Sequence, residues 1–294
     1  MSTLFDTKPM KINRITPDKH TFTQIISGIA KPPKSLYFIG NLPETRLPSV
    51  AIVGTRKPTH YGREVTERIA GELAAQGIVI MSGLALGVDG IAHQAALDAG
   101  GTTIAVLANG LPDISPSSHR VLAENIVASG GAIFSEYEPG TSARSYQFLA
   151  RNRIVSGLSD AVLITEAAAR SGTLNTAMHA LEQGKELFVV PGNITSPMSA
   201  GCNQLLKQGA HVATCAVDII ELIAPELTRP QTALALGSNP QETAILELLQ
   251  QGMRDGDEIQ RSSGLDASTF ASTLTLLEIN GSIRSLGANQ WTLQ

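Results

Sequence analysis

From Val50 onward the chain alternates short, wholly apolar runs with longer amphipathic stretches. The apolar runs are Val50–Val53, Val79–Met81, Thr103–Leu107, Ala132–Phe134, Ala161–Thr165 and Leu187–Val190. Between them the spacing predicts helices through Val65–Ala75, Ile91–Ala99, Val121–Ala128, Leu149–Ser156 and Leu174–Gln183, then Asn203–Gln208 before Val212. The runs are short and do not alternate with polar residues, as in strands buried on both faces of a parallel sheet. Strand and helix in turn build right-handed βαβ units and a doubly wound sheet. An extended Rossmann-like α/β domain is therefore predicted over residues 35–225, with a first strand signal at Leu36–Ile39. Residues 1–34 read as a short basic extension with a helical pattern near Phe22–Ile29.

Pro225, Pro230, Gly237 and Pro240 mark a linker over residues 226–239. Residues 240–294 then predict helices at Gln241–Gln250, Asp257–Ser262 and Ser268–Ile279, and strands at Ser282–Leu286 and Gln290–Leu293. Asp266 is placed to cap the third helix, and Phe270, Leu274 and Leu277 share one of its faces. Three helices and a hairpin are the plan of a small winged-helix domain.

Composition adds limits. Of the 294 residues 43% are hydrophobic, enough for a large core, but only 4% are aromatic. Two cysteines, Cys202 and Cys215, exclude a disulfide framework and a structural zinc cluster. No apolar run reaches membrane-spanning length and the amino terminus has no apolar leader, so a cytoplasmic protein with no membrane partner is expected. The net charge of −4 speaks against nucleic acid until it is divided along the chain. Residues 1–60 hold 9 basic and 3 acidic side chains, 61–237 hold 10 and 16, and 238–294 hold 3 and 7. Within the neutral first 237 residues, Pro139–Ser159 contains Arg144, Arg151 and Arg153 and no acid.

The turns after the strands carry the candidate chemistry. Gly54, Thr55 and Arg56 follow the first buried run; amides freed by a glycine, with a guanidinium beside them, can hold phosphate. Ser82, Gly83 and Gly87 belong to a second glycine-rich turn, Ser82–Gly90. Asp89 in that turn is placed to cap a helix, and His93 reads as a surface or capping histidine. Phe148, Arg151, Asn152 and Arg153, with Tyr146, interleave rings with cations, as a single-stranded nucleic-acid site requires. Ser171, Gly172 and Thr173 form a third turn, where capping and phosphate binding need the same groups. Pro191–Asn193 form a fourth.

The carboxyl ends of parallel strands lie on one edge, so these turns are expected to line one crevice. No G-x-G-x-x-G or G-x-x-x-x-G-K-[ST] pattern occurs, which removes support for NAD binding and P-loop hydrolysis. Nothing in the pattern pairs a nucleophile with a base or assembles metal ligands. The expectation is a site that holds phosphates without cleaving them, with no cofactor and no catalytic residue.

Five ordered blocks carry a resemblance: Val53–Arg56 with Tyr61-Gly62, Ser82–His93, Arg151-Asn152-Arg153, Ser171–Thr173 and Val190–Gly192. Across residues 35–225 the chain resembles the bacterial DNA-processing protein A family (DprA, also called Smf), and its last module resembles that family's winged helix. The resemblance implies non-sequence-specific binding of single-stranded DNA, protection of incoming DNA in natural transformation, loading of a RecA-type recombinase, and a homodimer. By motif position Arg56 is similar to the family's main phosphate-binding arginine and Phe148 to its base-contacting aromatic. Arg144 and Ser145 stand where members often carry a lysine, and residues 1–34 are too short for the helical module that precedes the domain in many.

The competing expectation is a Rossmann-like nucleotide phosphoribohydrolase. The signature of those enzymes is a Pro-Gly-Gly-x-Gly-Thr turn, whereas this chain has Arg170–Thr173 at the comparable place. A duplex-reading winged helix is disfavoured because Ser268–Ile279 contains no Lys or Arg. That module is expected to bind protein or a partner subunit more readily than DNA.

Overall fold

The structure, a computed structural model, describes residues 11–228 and 239–293. The chain divides into two compact units, the first ending at position 228 of the sequence. The larger holds a nine-stranded sheet, β1 (Asn13–Ile15), β2 (Leu36–Gly40), β3 (Ser49–Val53), β4 (Val79–Ser82), β5 (Thr103–Leu107), β6 (Ala132–Ser135), β7 (Ala161–Ile164), β8 (Glu186–Val189) and β9 (His211–Val212). Its spatial order is β1-β2-β6-β5-β4-β3-β7-β8-β9.

Strands β3 to β7 are buried throughout, as expected of a sheet covered on both faces. Alternate residues serve opposite layers. Val50 and Ile52 pack with the helices α1 (His60–Ala75) and α2 (Val88–Asp98). Ala51 and Val53 join the core that includes α4 (Ser145–Gly157), α5 (Thr173–Glu182) and α6 (Ala200–Lys207). α3 (Arg120–Ala128) covers β5 and β6 through Ala123 and Ile126. The short α7 (Val217–Ile223) and α8 (Pro225–Thr228) close the unit.

From β3 the chain winds outward through β4, β5 and β6, then returns to the other side of β3 with β7, β8 and β9. All these pairings are parallel. The reversal lies between β3 and β7, where open α/β sheets place their ligands.

The sheet is mixed. β2 runs antiparallel to β6, and β1 antiparallel to β2. Residues before 35 thus supply an edge strand, and Phe22 and Ile26 are fully buried in the main core. The helical pattern near Phe22–Ile29 is a 3-10 turn at Gln24–Gly28. At the other end, Glu226 and Leu227 of the predicted linker belong to α8; positions 229–238 lie outside the described residues.

The second unit has α9 (Pro240–Gln250), α10 (Gly256–Ser263), α11 (Ala267–Ile279) and a hairpin of β10 (Ile283–Gly287) and β11 (Gln290–Leu293). Asp266 caps α11, accepting from the Ser268 and Thr269 amides at 3.0 and 3.1 Å. Phe270, Leu274 and Leu277 meet Ile245, Leu249 and Ile259 in its core. The three-helix and hairpin plan read from the sequence is the one observed.

Candidate functional site

At the β3–β7 switch the turns enclose a crevice of about 270 Å³. Gly54, Thr55 and Arg56 form one wall, leaving the end of β3. Phe148, Arg151 and Asn152 reach it from α4, and Ser171, Gly172 and Thr173 from the start of α5. Nine of the thirteen sequence-predicted residues therefore line one hollow.

Arg56 and Phe148 form its mouth. Arg56 is exposed, and its guanidinium carbon lies 5.4 Å from the centre of the half-buried Phe148 ring. A cation over an aromatic face is attracted by the ring quadrupole. The pair presents a charge for a phosphate beside a surface on which a base can stack.

Arg151 plays a different part. It is 4% exposed, and its Nη1 donates to the carbonyls of Gly83 (2.6 Å) and Val106. Asp89, also buried, accepts from the amides of Gly83 (3.1 Å) and Ala85 (3.3 Å). The two side chains thus hold both polar groups of Gly83 and fix the turn after β4. Burial raises the Asp89 carboxyl above its usual range, against the pull of Arg151 and the amide bonds. Burial likewise lowers the Arg151 guanidinium, against the attraction of Asp89. A Cβ on Gly83 would collide with that guanidinium. Leu84, fully buried, sits at φ 55°, in the left-handed region that non-glycine residues rarely occupy.

The other predicted residues lie elsewhere. Ser82 is buried and donates to Ile52 O at 2.6 Å, a bond within the sheet. Gly87, at φ +79°, lets the loop pass against the Thr55–Arg56 backbone, where a Cβ would clash. Arg153 turns from the crevice: its Nη2 pairs with Glu136 at 2.5 Å and its Nε donates to Lys31 O at 2.9 Å. Pro191–Asn193 line a separate hollow with Thr59, Tyr61 and Glu166. The single crevice expected from these turns is thus divided in two, with Glu166, just past the end of β7, lining the second hollow and tying down the chain that follows β3. Its carboxylate accepts from the Thr59 amide (2.8 Å) and hydroxyl (2.6 Å), and its carbonyl from the Thr55 amide (2.8 Å).

The cap of α5 also differs from the expectation. Gly172 occupies the N-cap position and no side chain caps the helix; the Ser171 hydroxyl instead accepts from the Thr173 amide at 3.2 Å. Thr176 and Leu149 complete the lining and went unpredicted. Thr176 follows Thr173 by three positions, one helical face, so spacing alone could have found it.

His93 is not at the surface. It is fully buried, and its Nδ1 lies 2.6 Å from Thr103 Oγ1, whose hydroxyl donates to Ile80 O. The ring must therefore donate through Nδ1, and Nε2 has no partner among the described residues. Burial first, then the charges of His119 and Arg151, push its pKa down to about 3, so it is neutral at physiological pH. Among the described residues no group of three His, Cys, Asp or Glu could hold a metal ion, and no helix is long and apolar enough to cross a membrane.

A doubly wound sheet with a cationic, glycine-walled crevice at its switch point, joined to a winged-helix module, defines a class of scaffold that holds anionic ligands. The profile described as DNA recombination-mediator protein A matches residues 13–224, and that of the DprA winged helix domain matches residues 229–289. The chain belongs to the DprA/Smf family of DNA processing proteins. A putative DNA processing protein DprA from Mycobacterium tuberculosis is 39% identical over 257 residues, 85% of this chain and 66% of the relative. Protein Smf of Escherichia coli is 46% identical over 189 residues, 64% of this chain and 50% of its own length. The chain thus spans less than two thirds of the length of these curated relatives. The X-ray structure of DprA from Streptococcus pneumoniae superposes with a TM-score of 0.67 at 35% identity, covering 72% of this chain and 75% of that one. DNA processing protein A from Helicobacter pylori, solved to describe its single-stranded DNA binding mode, gives a TM-score of 0.65 at 36% identity over 74% and 98% of the two chains.

Proposed function

We propose that this chain binds single-stranded DNA without sequence specificity, seating a phosphate on Arg56 beside the Gly54 and Gly172 turns, and a base against Phe148. The observation that carries this reading is the exposed Arg56 guanidinium 5.4 Å from the Phe148 ring at the mouth of the crevice. The single-strand binding described for the Helicobacter pylori relative supports it. Family membership supports the further reading that the protein protects incoming DNA in the cytoplasm, hands it to a RecA-type recombinase and works as a homodimer. The crevice binds and does not cleave. Its one carboxylate, Asp89, is held by loop amides, and the lining offers no nucleophile beside a base. A phosphoribohydrolase activity is therefore disfavoured.

The test compares labelled single strands and duplexes of equal length by anisotropy at two salt concentrations. Single strands should bind more tightly, because only they free a base to stack, an interaction worth about 1–3 kcal/mol per base. Both affinities should fall with salt as counterions are released. Equal affinity for the two forms contradicts the role of Phe148.

A further inference from the structure

The crevice is too small to hold a strand. At about 270 Å³ it falls below the roughly 300 Å³ at which small-ligand pockets begin. A strand seated there must continue across the surface. On the far side of the Leu84–Gly87 loop lies a larger groove, about 1090 Å³, between α1 and α2. Arg56 lines both hollows, so the two are contiguous at the residue that forms the mouth of the first.

We propose that this groove is a second nucleic-acid subsite, which carries the strand leaving the crevice past Arg56. Phosphates would meet Lys57 and Arg63, and bases would lie against Leu86. The inference rests on the single-strand reading of the crevice.

Three observations support it. First, the cations are available. Lys57 and Arg63 are exposed, and neither makes an ion pair among the described residues. Arg63 has Glu67 one turn on, yet the ion pairs of α1 are His60–Glu64 and Arg68–Glu72. Second, the wall nearest the crevice carries an exposed apolar side chain: Leu86 is 48% exposed at the tip of a loop fixed from behind by Arg151, Asp89 and His119. Apolar contact beside free cations suits bases and phosphates in alternation and requires no sequence. Third, the other neighbouring hollow is a poor continuation. The one at Pro191–Asn193 shares no lining residue with the crevice, contains no Lys or Arg, and presents Glu166. The groove has carboxylates of its own, Glu67 and Asp98, but Asp98 accepts from Gln94 at 2.7 Å and the three full cations outnumber the two acids.

The experiment uses the full chain and a Lys57→Gln/Arg63→Gln double variant, whose fold is checked by thermal melting. Labelled oligothymidylates of about 4 and about 16 nucleotides, the span of known single-strand sites, are titrated at two salt concentrations. The variant should bind the long strand roughly tenfold more weakly, with a salt slope shallower by about 1.4, since each lost phosphate contact removes about 0.7. It should bind the short strand within about twofold of the wild type. Unchanged long-strand affinity and slope in the variant overturn the subsite. Equal loss for both lengths also overturns it, because the two side chains would then act only through the field at the crevice. If the wild type binds neither strand, the reading of the crevice itself fails, and the two failures are distinguishable.

Discussion

The crevice and helix α11 of the winged-helix module are two surfaces built oppositely. The crevice mouth exposes a guanidinium beside a ring, and glycine-containing turns line the hollow behind them. The solvent face of α11 exposes Ser268, Ala271, Ser272, Thr275, Leu276, Glu278 and Ile279, with no cation. The winged-helix plan is associated with duplex reading, but fold does not confer function. Neutralising phosphate with Lys or Arg supplies most of the affinity for nucleic acid, and α11 has neither. Placement of a few charges thus separates the two surfaces, where the net charge of −4 misleads about both.

The comparison sharpens when the crevice is divided into what faces the ligand and what holds the frame. Arg151→Ala would leave the Gly83 and Val106 carbonyls without their donor and Asp89 without its buried counter-charge. Leaving a buried acceptor without its partner typically costs about 1–3 kcal/mol. Urea denaturation should show a loss of that order, with Arg151→Lys recovering only part, because an ammonium cannot reproduce the planar fork. A stable Arg151→Ala protein that has lost DNA binding would instead make Arg151 a ligand contact.

His93 tests the layer beneath. Its pKa is about 3 in the folded chain and near 6.5 when unfolded, so between those values the unfolded state holds more protons. Above about pH 6.5 its neutral, buried state carries no proton-linked cost. Stability then falls by about 1.4 kcal/mol per pH unit as the pH drops toward 3. Denaturation midpoints from pH 7 to 4 should decline less steeply in His93→Gln than in the wild type, by that slope. Parallel curves would mean that His93 protonates without unfolding the chain.

Much of this was legible in the sequence, for identifiable reasons. β3 to β7 declare themselves because both faces are buried, so every position is apolar or small. The turns after them declare themselves because the chain needs glycine where Gly87 passes the Thr55–Arg56 backbone. β1 is silent: three residues, Asn13–Ile15, paired on an edge through backbone bonds, demand no side-chain pattern. The fates of Arg151 and Arg153 were equally silent. α4 mixes polar and apolar residues around its whole circumference, so no stripe shows which arginine turns inward. His93 is hidden because Ala92, Ala95 and Ala96 bring α2 close enough to the sheet to bury a polar neighbour, and its partner, Thr103, is in another element. Glu166, which lines the second hollow, acts across 107 residues of sequence on Thr59, beyond any local pattern.

The most direct test of the central claim puts the two surfaces side by side. The wild-type chain, Arg56→Ala and Ser272→Ala/Thr275→Ala would be titrated with one labelled single strand at low and moderate salt. The account predicts that Arg56→Ala weakens binding roughly tenfold and flattens the salt slope by about 0.7, with stability changed by less than about 0.5 kcal/mol. The α11 variant should bind within about twofold of the wild type. Loss of binding in the α11 variant, with Arg56→Ala unaffected, would contradict it.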